Sequence, residues 1–529
     1  MSIIARMLGR RPVSGAPASL EEVLRANAGL HRLFPRDVNH LLRLGASLLD
    51  RGERASAGLV FEYAEELGAP RWKTALMQAK RYLIEGQPQT ALDVLLPFLE
   101  SGEAKPDPDL CLIGGTAAWD AGRMQAAIRY YETGIAQTPR RVELLGSLCG
   151  ALGMSGRYQE AYDIAHRALR LDRRHSSALQ NLGITTREMM LLDEQREVYA
   201  DLCDFYPDAE RFRCLRSYAL LMEENFAEGW PLHESRDFRF REQGFRESTL
   251  QRQRWKGEDI AGKTLLIVCE QGAGDNFMVA RWFPEIKRRG ARVVLECAHF
   301  LSGILGRVPG VDQVVPLVNN REPDVPYDLW VGSMSLPLIF NVTRENIYAP
   351  ARYLEPSRAT GEYWRERVSG VRELKVGLAW AGNPGHSNDL ARSMKFADVA
   401  PLLDVPGTRF YNLQVPARDA PPGARLVNYT DELVTFDDTA GLIDQMDLVI
   451  AVDTSICHLA CALGKPTWVM SGARPEWRWG RTDLPVYWYP TATLYCCEAP
   501  LDWRGVVKRA VRDLGARAAE FAARGGVHV

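Results

Sequence analysis

The sequence of 529 residues predicts a helical repeat solenoid followed by two doubly wound α/β domains. Two observations predict this fold class. Small residues and prolines recur every 34 positions in the first half, which is typical of repeated helix pairs. In the second half, short apolar runs alternate with helical stretches, which is typical of parallel strands in βα units. At about 150 residues per domain, a chain of this length has room for three or four domains.

The repeat is visible at several phases. Gly122 and Gly156 are 34 residues apart, and so are Gly52 and Gly86, whereas the step from Gly86 to Gly122 is 36 and predicts an insertion of two residues near Lys105–Pro108. We expect five or six units between about residues 38 and 240, each a pair of antiparallel helices. An unspecific helical bundle is the alternative. The step of 34 also joins the members of three further sets: Gly115, Cys149 and Gly183; Pro139, Arg173 and Pro207; Ala57 and Ala91.

The predicted strands of the second half fall into two groups. A segment of mixed composition separates them, and we expect it to act as a hinge. Two doubly wound sheets that face each other would form a cleft at the carboxyl ends of their strands. The predicted strands are 264–269, 291–296, 375–380, 448–452 and 466–470. The predicted domains are a flexible tail at 1–20, the repeats at 21–245, a first α/β domain at 246–360 and a second at 361–529.

Composition excludes several classes of protein. Lys plus Arg is 65 and Asp plus Glu is 67, and this balance disfavours a general nucleic-acid binder. No apolar run approaches the roughly 18 residues of a membrane span, and the first residues lack the apolar stretch of a signal peptide. The ten cysteines form no C-x-x-C pair and have no partners at zinc-site spacing. We therefore expect a cytoplasmic protein with reduced thiols, no bound metal and no membrane span.

The first motif follows the strand that ends at Cys269. It runs from Glu270 to Asp275, and its glycines let the backbone turn sharply into a helix whose amino end faces the cleft. Asp275 is either a general base for an acceptor hydroxyl or an N-terminal cap of that helix. The motif lacks the third glycine of G-x-G-x-x-G, so dinucleotide binding is disfavoured.

The second motif is Asp453 to His458, after the strand 448–452. Thr454 or Ser455 can cap the helix that follows, and the free N–H groups of a helix amino end favour a phosphate. His458 lies on the first turn. It either donates a hydrogen bond to a phosphoryl oxygen or packs into the contact between helix and sheet.

Two further motifs carry possible ligand contacts. Asn383 marks a tight strand exit, and Arg392 shortly after it either reaches a diphosphate with two donors or is a surface arginine. An aromatic group either stacks on a base or sugar or packs in the core, which is the commoner use of clustered Trp. Its members are Trp477, Trp479, Trp488 and Tyr489.

The motifs between about residues 40 and 500, taken in their order along the chain, resemble those of the bacterial tetratricopeptide-repeat glycosyltransferases. The catalytic half of that family is similar to the ADP-heptose heptosyltransferases and, more distantly, to protein O-GlcNAc transferases. Met278 and Cys461 depart from the family pattern. The matching motifs are Glu270–Asp275 with Arg281, Trp380–Pro384, Asn388–Asp389 with Arg392–Ser393, Asp438–Ala440, Asp447–Ile450, Asp453–Thr454, His458–Ala460, Ala462–Pro466, Trp477–Trp479 and Trp488–Pro490, with Phe226–Trp230, Glu234 and Arg236 at the end of the repeats.

The resemblance implies a glycosyltransferase B fold of two Rossmann-like domains and an inverting transfer from a nucleotide-sugar, which is a co-substrate, with no metal or other cofactor required. It implies that Asp275 is the catalytic base. The donor and its phosphates are then expected at Arg392, Asp453, Thr454, Ser455 and His458, with Asn383 and Gln414 also on the donor side. The acceptor-side loop is expected to hold Gln271, Gly272, Gly274 and Arg281.

The expected function is transfer of a sugar to Ser or Thr hydroxyls of a protein recruited by the repeats. Flagellin is one candidate acceptor, because some members of the repeat-bearing family glycosylate it. A non-catalytic adaptor with a degenerate transferase half is one alternative, and a transferase acting on lipid or polysaccharide is another. Because solenoid ends can dimerise, an oligomer is also compatible with the sequence.

Overall fold

The computed structural model describes residues 19–27, 37–101, 106–236, 250–318, 321–386, 388–415, 420–421, 423–480 and 485–526. The predicted tail at 1–20 lies almost entirely outside these described residues. The chain divides into two compact units, residues 1–186 and 187–529.

The first unit consists of helices that pack in consecutive pairs. The two inserted residues fall between the helices that end at Leu99 and begin at Pro108, where the sequence predicts them, although Lys105 itself lies outside the described residues. The helices are α1 Leu20–Ala26, α2 Val38–Asp50, α3 Arg54–Glu66, α4 Arg71–Ile84, α5 Pro88–Leu99, α6 Pro108–Asp120, α7 Met124–Gln137, α8 Val142–Met154, α9 Tyr158–Leu171 and α10 Ser176–Glu188, whose last two residues belong to the second unit.

Small residues allow the two helices of a pair to approach closely. A Cβ atom added to Gly45 of α2 would lie only 2.1 Å from Cε1 of Phe61 on α3. The equivalent atom on Gly115 of α6 would lie 2.3 Å from Cε1 of Tyr131 on α7. Because such distances are far below van der Waals contact, only glycine fits at these positions. The physical reason that the sequence suggests for the 34-residue repeat is confirmed.

The second unit begins with the last repeat helices and continues into two parallel sheets. These helices are α11 Leu192–Phe205, α12 Glu210–Met222 and α13 Phe226–His233, and α12 and α13 pack as a pair. The compact units separate at residue 187, whereas the predicted boundary of 245 lies between the last described repeat helix, which ends at His233, and the first strand, which begins at Gln253. One reason is that the ring of Trp230 lies 5.4 Å from the ring of Trp477, which is in the α/β region.

Each sheet has the strand order of a doubly wound fold. The first sheet is β1 Gln253–Arg254, β2 Thr264–Val268, β3 Arg292–Cys297, β4 Gln313–Pro316 and β5 Leu329–Gly332, in the order β1-β5-β2-β3-β4. The second is β6 Leu374–Ala379, β7 Thr408–Asn412, β8 Leu426–Val427, β9 Leu448–Val452, β10 Thr467–Ser471 and β11 Ala492–Cys496, in the order β11-β10-β9-β6-β7-β8. All described strand pairs are parallel.

The five predicted strands are β2, β3, β6, β9 and β10, and all five are confirmed. In the first sheet the strand order reverses between β2 and β5, and in the second it reverses between β6 and β9. Ligands of such sheets bind outside the carboxyl ends of the strands at these reversals. The turns after β2, β6 and β9 are the places where the sequence predicts functional residues.

Helices cover these sheets. None of the described helices combines the length and the apolar composition needed to cross a bilayer. The helices that cover the sheets are α14 Ala273–Val279, α15 Phe283–Arg288, α16 His299–Leu305, α17 Leu336–Ile339, α18 Arg358–Arg367, α19 Asp389–Arg392, α20 Phe396–Leu403, α21 Phe436–Asp444, α22 Ser455–Ala462 and α23 Trp503–Ala523.

Candidate active site

The turns after β2 and β9 lie against each other, one from each sheet. Helix α14 follows the first turn, helix α22 follows the second, and the two helices pack together. A Cβ atom added to Gly274 would lie 2.5 Å from Cδ2 of His458, so glycine is needed for this approach. The structure therefore brings together the two motifs that the sequence predicts to form one site.

Asp275 lies in the first turn of α14 and faces the second sheet. Its Oδ2 accepts a hydrogen bond of 2.9 Å from the backbone N–H of Gly272, so the capping role is present. Its Oδ1 forms an ion pair with Nη2 of Arg478, which lies in the segment after β10. A carboxylate has about four lone-pair positions, so both oxygens can still accept a hydroxyl proton. The general-base role stays a prediction.

The loop before Asp275 has an unusual backbone. Gln271 has φ of 60°, in the left-handed region that non-glycine residues seldom adopt. Gln271 and Gly272 are exposed, as expected for residues that would meet an acceptor. Strain of this kind often accompanies functional loops.

Arg281, the remaining residue of the predicted acceptor-side loop, is only 1% exposed. Its Nη1 donates to the carbonyl oxygens of Trp488 at 2.7 Å and Tyr348 at 3.1 Å, and its Nε donates to Met278 at 2.7 Å. Its guanidinium therefore holds chain segments together and presents no open donor at the loop surface. The expectation that Arg281 contacts an acceptor stays a prediction.

Arg478 links the candidate base to the donor side of the site. Its Nη1 lies 3.7 Å from Oε2 of Glu476, and its guanidinium lies 4.3 Å from the ring centre of Trp477. Burial alone would lower the pKa of Arg478, but the carboxylates of Asp275, Glu476 and Asp453 raise it above its ordinary value. Arg478 therefore stays charged and holds Asp275 in place. The sequence analysis gave it no role.

Asp453 follows β9 at the reversal of the second sheet. Burial, and then the nearby carboxylate of Glu476, raise its pKa to about 6. The neighbouring side chain of Trp479 and the cations Arg478 and Arg392 oppose that rise. Asp453 therefore titrates close to neutral pH.

The start of α22 has open hydrogen-bonding groups. Thr454 occupies the N-cap position, as predicted, but its side chain makes no capping hydrogen bond. Its Oγ1 is buried and has no hydrogen-bond partner among the described residues. Ser455, the first residue of the helix, is partly exposed. Such a helix end can receive an anion through its backbone N–H groups.

His458 is a packed, neutral histidine. It is 4% exposed, its Nδ1 lies 2.8 Å from the hydroxyl of Tyr489, and its ring centre lies 4.6 Å from that of Trp479. Burial, and then the cations Arg478 and Arg281, hold its pKa well below the usual value. The packing alternative therefore accounts for His458, and a positive imidazolium at this position is not expected.

Arg392 lies at the end of α19, in the loop region that follows β6. Its guanidinium lies against Gly382, where an added Cβ atom would be 2.6 Å from Nη2. Its Nε is 3.8 Å from Oδ1 of Asp389, which also accepts a hydrogen bond of 2.6 Å from Ser393. Arg392 is partly buried and is not the surface arginine of the alternative interpretation.

Two other predicted donor-side residues make contacts within their own loops. Oε1 of Gln414 accepts hydrogen bonds from the backbone N–H groups of Trp380 and Ala381, at 3.2 and 2.8 Å. Asn383 is exposed, and its Oδ1 accepts from the N–H of Gly385 at 2.9 Å. Gln414 thus stabilises the exit of β6, and Asn383 stabilises a turn.

The aromatic group packs in the core. All four of its members are at most 1% exposed. The rings of Trp477 and Trp488 lie 5.7 Å apart, and both contact Trp230 of α13. The packing alternative is confirmed, and these rings present no face to a base or sugar.

A small pocket with a volume of about 20 Å³ lies at the carboxyl end of the second sheet. Arg392 and Asp453 are part of its described lining, whereas Asn383, Gln414, Thr454, Ser455 and His458 are not. The lining also includes Glu188, Arg474 and Glu476, which sequence reasoning missed because single charged residues in a loop form no pattern. Among the described residues, no three His, Cys, Asp or Glu side chains are grouped as a metal ion would require.

Comparison with known proteins identifies part of this region. A model of glycosyltransferase family 9 (heptosyltransferase) matches residues 433–486, which contain β9, α22 and β10. The protein FlbA of Caulobacter vibrioides is 27% identical over 350 residues, which are 58% of this chain and 56% of FlbA. The chain therefore spans little more than half the length of that curated relative.

Solved structures of repeat proteins are also similar to part of the chain. One is YrrB, described as a TPR protein with an unusual peptide-binding site, at 18% identity and a TM-score of 0.28 over 36% of this chain and 95% of YrrB. Another is pilF of Pseudomonas aeruginosa, at 16% identity and a TM-score of 0.35 over 39% of this chain and 94% of that one. The chain thus combines helices that recur with a 34-residue period and an α/β region, part of which matches the glycosyltransferase family 9 model.

Proposed function

We propose that this protein is a glycosyltransferase that moves a sugar from a nucleotide-sugar to a Ser or Thr hydroxyl of a protein recruited by its repeats, with flagellin as the first acceptor to test. The observation that carries the proposal is the juxtaposition of Asp275 from the first sheet with the Asp453–Thr454 turn of the second. A base and an anion site on opposite walls are what direct sugar transfer needs.

The proposed reaction is an inverting displacement within a glycosyltransferase B arrangement. Asp275 takes the proton of the acceptor hydroxyl while the hydroxyl oxygen forms a bond to the anomeric carbon. The bond from that carbon to the phosphate oxygen breaks, and its electron pair stays on the departing nucleotide. The open amino end of α22 and the guanidinium of Arg392 would offset the negative charge on that phosphate without a metal.

Asp275→Asn tests the base. The amide keeps a capping oxygen for Gly272 but cannot take a proton, so we expect turnover to fall by a factor of about 10² or more. Nucleotide affinity should change by less than about threefold, because the substitution leaves the donor side intact. The measurements are mass spectrometry of a co-expressed acceptor for transfer and calorimetry for nucleotide binding.

Asp398→Asn is the matched control for Asp275→Asn. Asp398 makes the same capping bond at the start of α20, where its Oδ2 accepts from the N–H of Lys395 at 2.8 Å. Turnover near the wild-type level is expected for this variant. Wild-type turnover in Asp275→Asn would show that Asp275 is a cap and no base.

A thermal-shift screen with UDP, ADP, GDP and CMP separates the proposal from its rivals. Binding of one nucleotide is expected, whereas a non-catalytic adaptor would bind none. If a nucleotide binds but the sugar appears on lipid or polysaccharide and not on protein, the acceptor part of the proposal is wrong.

A further inference from the structure

Arg474 is a partly buried cation that lines the pocket of the second sheet. Its Nε and Nη1 are both buried, and neither makes a hydrogen bond to a described residue. The carboxylates of Glu476 and Glu188 attract Arg474 electrostatically, without a hydrogen bond to it. Buried N–H groups of a guanidinium that make no hydrogen bond are energetically unfavourable unless a ligand accepts hydrogen bonds from them.

Two of the three carboxylates in the described lining, Glu188 and Glu476, lie beside cations other than Arg474. Oε1 of Glu188 lies 2.6 Å from Nη2 of Arg187, and Oε2 of Glu476 lies 3.7 Å from Nη1 of Arg478. Burial, and then the neighbouring cation Arg187, lower the pKa of Arg474 to about 10, so it is still charged at neutral pH. Its positive charge is therefore available to an incoming anion.

The local backbone holds Arg474 at the pocket wall. Pro475 follows it and restricts its backbone to extended conformations. Two residues earlier, a Cβ atom added to Gly472 would lie 2.6 Å from the carbonyl oxygen of Ala391, so this loop packs directly against the loop that carries Arg392. Arg474 and Arg392 thus line one pocket from the ends of two different strands.

We propose that Arg474 binds a phosphate oxygen of the nucleotide donor and forms, with Arg392, a clamp of two guanidinium groups. This inference rests on the proposed function and adds a donor-binding residue to it. Guanidinium is well suited to this contact because its planar fork can give two hydrogen bonds to one phosphate. The competing explanation is that Arg474 is a counter-ion that stabilises Glu188 and Glu476.

The test compares Arg474→Met, Arg474→Lys and Arg409→Met in the full-length protein. Arg409 is an exposed arginine on β7 of the same sheet and serves as the matched control. Calorimetry measures the Kd of the nucleotide found in the screen and of the corresponding nucleoside, which has no phosphate. Thermal unfolding without ligand measures Tm.

We expect Arg474→Met to weaken nucleotide binding at least tenfold while nucleoside binding changes less than twofold. Arg474→Lys should recover part of the loss. The ligand-free Tm should not fall, because the substitution removes an unpartnered cation. Arg409→Met should leave both quantities unchanged.

Two results would overturn the inference. An unchanged nucleotide Kd in Arg474→Met together with a lower Tm would identify Arg474 as a structural counter-ion. If Arg409→Met weakens nucleotide binding equally, the effect reflects the net charge of the protein and not a contact made by Arg474. If the wild-type protein binds no nucleotide at all, the proposed function fails first and the clamp fails with it.

Discussion

At the scale of single residues, burial of Asp453 makes stability depend on pH. The carboxyl keeps its proton up to about pH 6 in the folded protein, compared with an ordinary pKa of 3.8. The folded state therefore binds more protons than the unfolded state between these values, and stability falls as pH rises through that window. The shift corresponds to at most roughly 3 kcal/mol at pH 7, and partial exposure reduces it.

Asp453→Asn should therefore raise the free energy of unfolding at pH 7.5, by up to roughly 3 kcal/mol, because the amide never ionises. The gain should shrink as pH falls and vanish below about pH 3, where the aspartate is protonated in both states. Urea unfolding at several pH values measures this. A variant less stable than wild type at pH 7.5 would contradict the prediction, and Asp398→Asn, which changes a capping carboxylate, should show no comparable gain.

The sequence predicted site residues where a motif follows a strand. Asp275 and Asp453 both do so, and the structure brings their turns together. Contacts between residues distant in the chain could not be predicted in this way. Arg281 donates to a carbonyl oxygen 207 residues away, and Gln414 accepts from an N–H 34 residues earlier. Arg474 was missed for the same reason, since only the fold shows that its Nε and Nη1 are buried without a hydrogen bond to a described residue.

At the scale of elements, the repeat continues in the backbone after it has faded from the sequence. The turns within the first four helix pairs each have a glycine with positive φ: Gly52, Gly86, Gly122 and Gly156, at 83°, 74°, 75° and 75°. At the next two steps of 34 the same conformation is adopted by Met190 and Glu224, both with φ of 62°. Left-handed backbone is unfavourable for such side chains, so these two turns are strained.

Met190→Gly should stabilise the protein. Relief of the left-handed strain, less the entropy that glycine loses on folding, gives an expected gain of about 0.5–1 kcal/mol. Met190 is 40% exposed, so little packing is lost. Thermal or urea unfolding measures the change.

Gly122→Ala is the reciprocal control for Met190→Gly. An added Cβ atom at Gly122 meets nothing within 4 Å, so only backbone strain changes. A loss of about 1 kcal/mol is expected. If Met190→Gly destabilises the protein while Gly122→Ala behaves as expected, packing of the methionine outweighs strain at that turn.

Short elements limited the prediction of the sheets. The strands that were missed include β8, which has two residues, and β4, of which no residue is fully buried. Such strands carry too few apolar residues to form a recognisable run. The predicted strands form apolar runs because their residues are buried on both faces, as in β9, where all five are buried. The strands β7 and β11 also have five residues but were missed, because exposed or partly exposed residues interrupt their apolar runs.

At the scale of the whole molecule, the last helix pair is part of the α/β unit. Arg236, just after α13, is 1% exposed and donates to both carboxylate oxygens of Glu270, at 2.6 and 3.0 Å. Glu270 lies directly after β2, at the reversal of the first sheet, and also accepts the backbone N–H of Met334 at 2.9 Å. The end of the repeats thus supports the turn that leads to Asp275.

Two truncations test this organisation. A chain of residues 187–529 keeps the second unit whole, and we expect it to fold and to bind nucleotide like the full-length protein. Under the proposed function it should lose modification of the protein acceptor, because it lacks the first unit. A chain of residues 241–529, cut near the boundary that the sequence suggests, also lacks Trp230 and Arg236.

The shorter chain should be much less stable than the longer one. Without Arg236 the buried carboxylate of Glu270 loses its ion pair and two hydrogen bonds with that guanidinium, which costs roughly 3–5 kcal/mol. The rings of Trp477 and Trp488 also lose the contact with Trp230. Circular dichroism during heating measures this. A chain of 241–529 that unfolds at the same temperature as 187–529 would show that the last helix pair is not part of the unit. Efficient modification of the acceptor by 187–529 would show instead that the first unit does not recruit it.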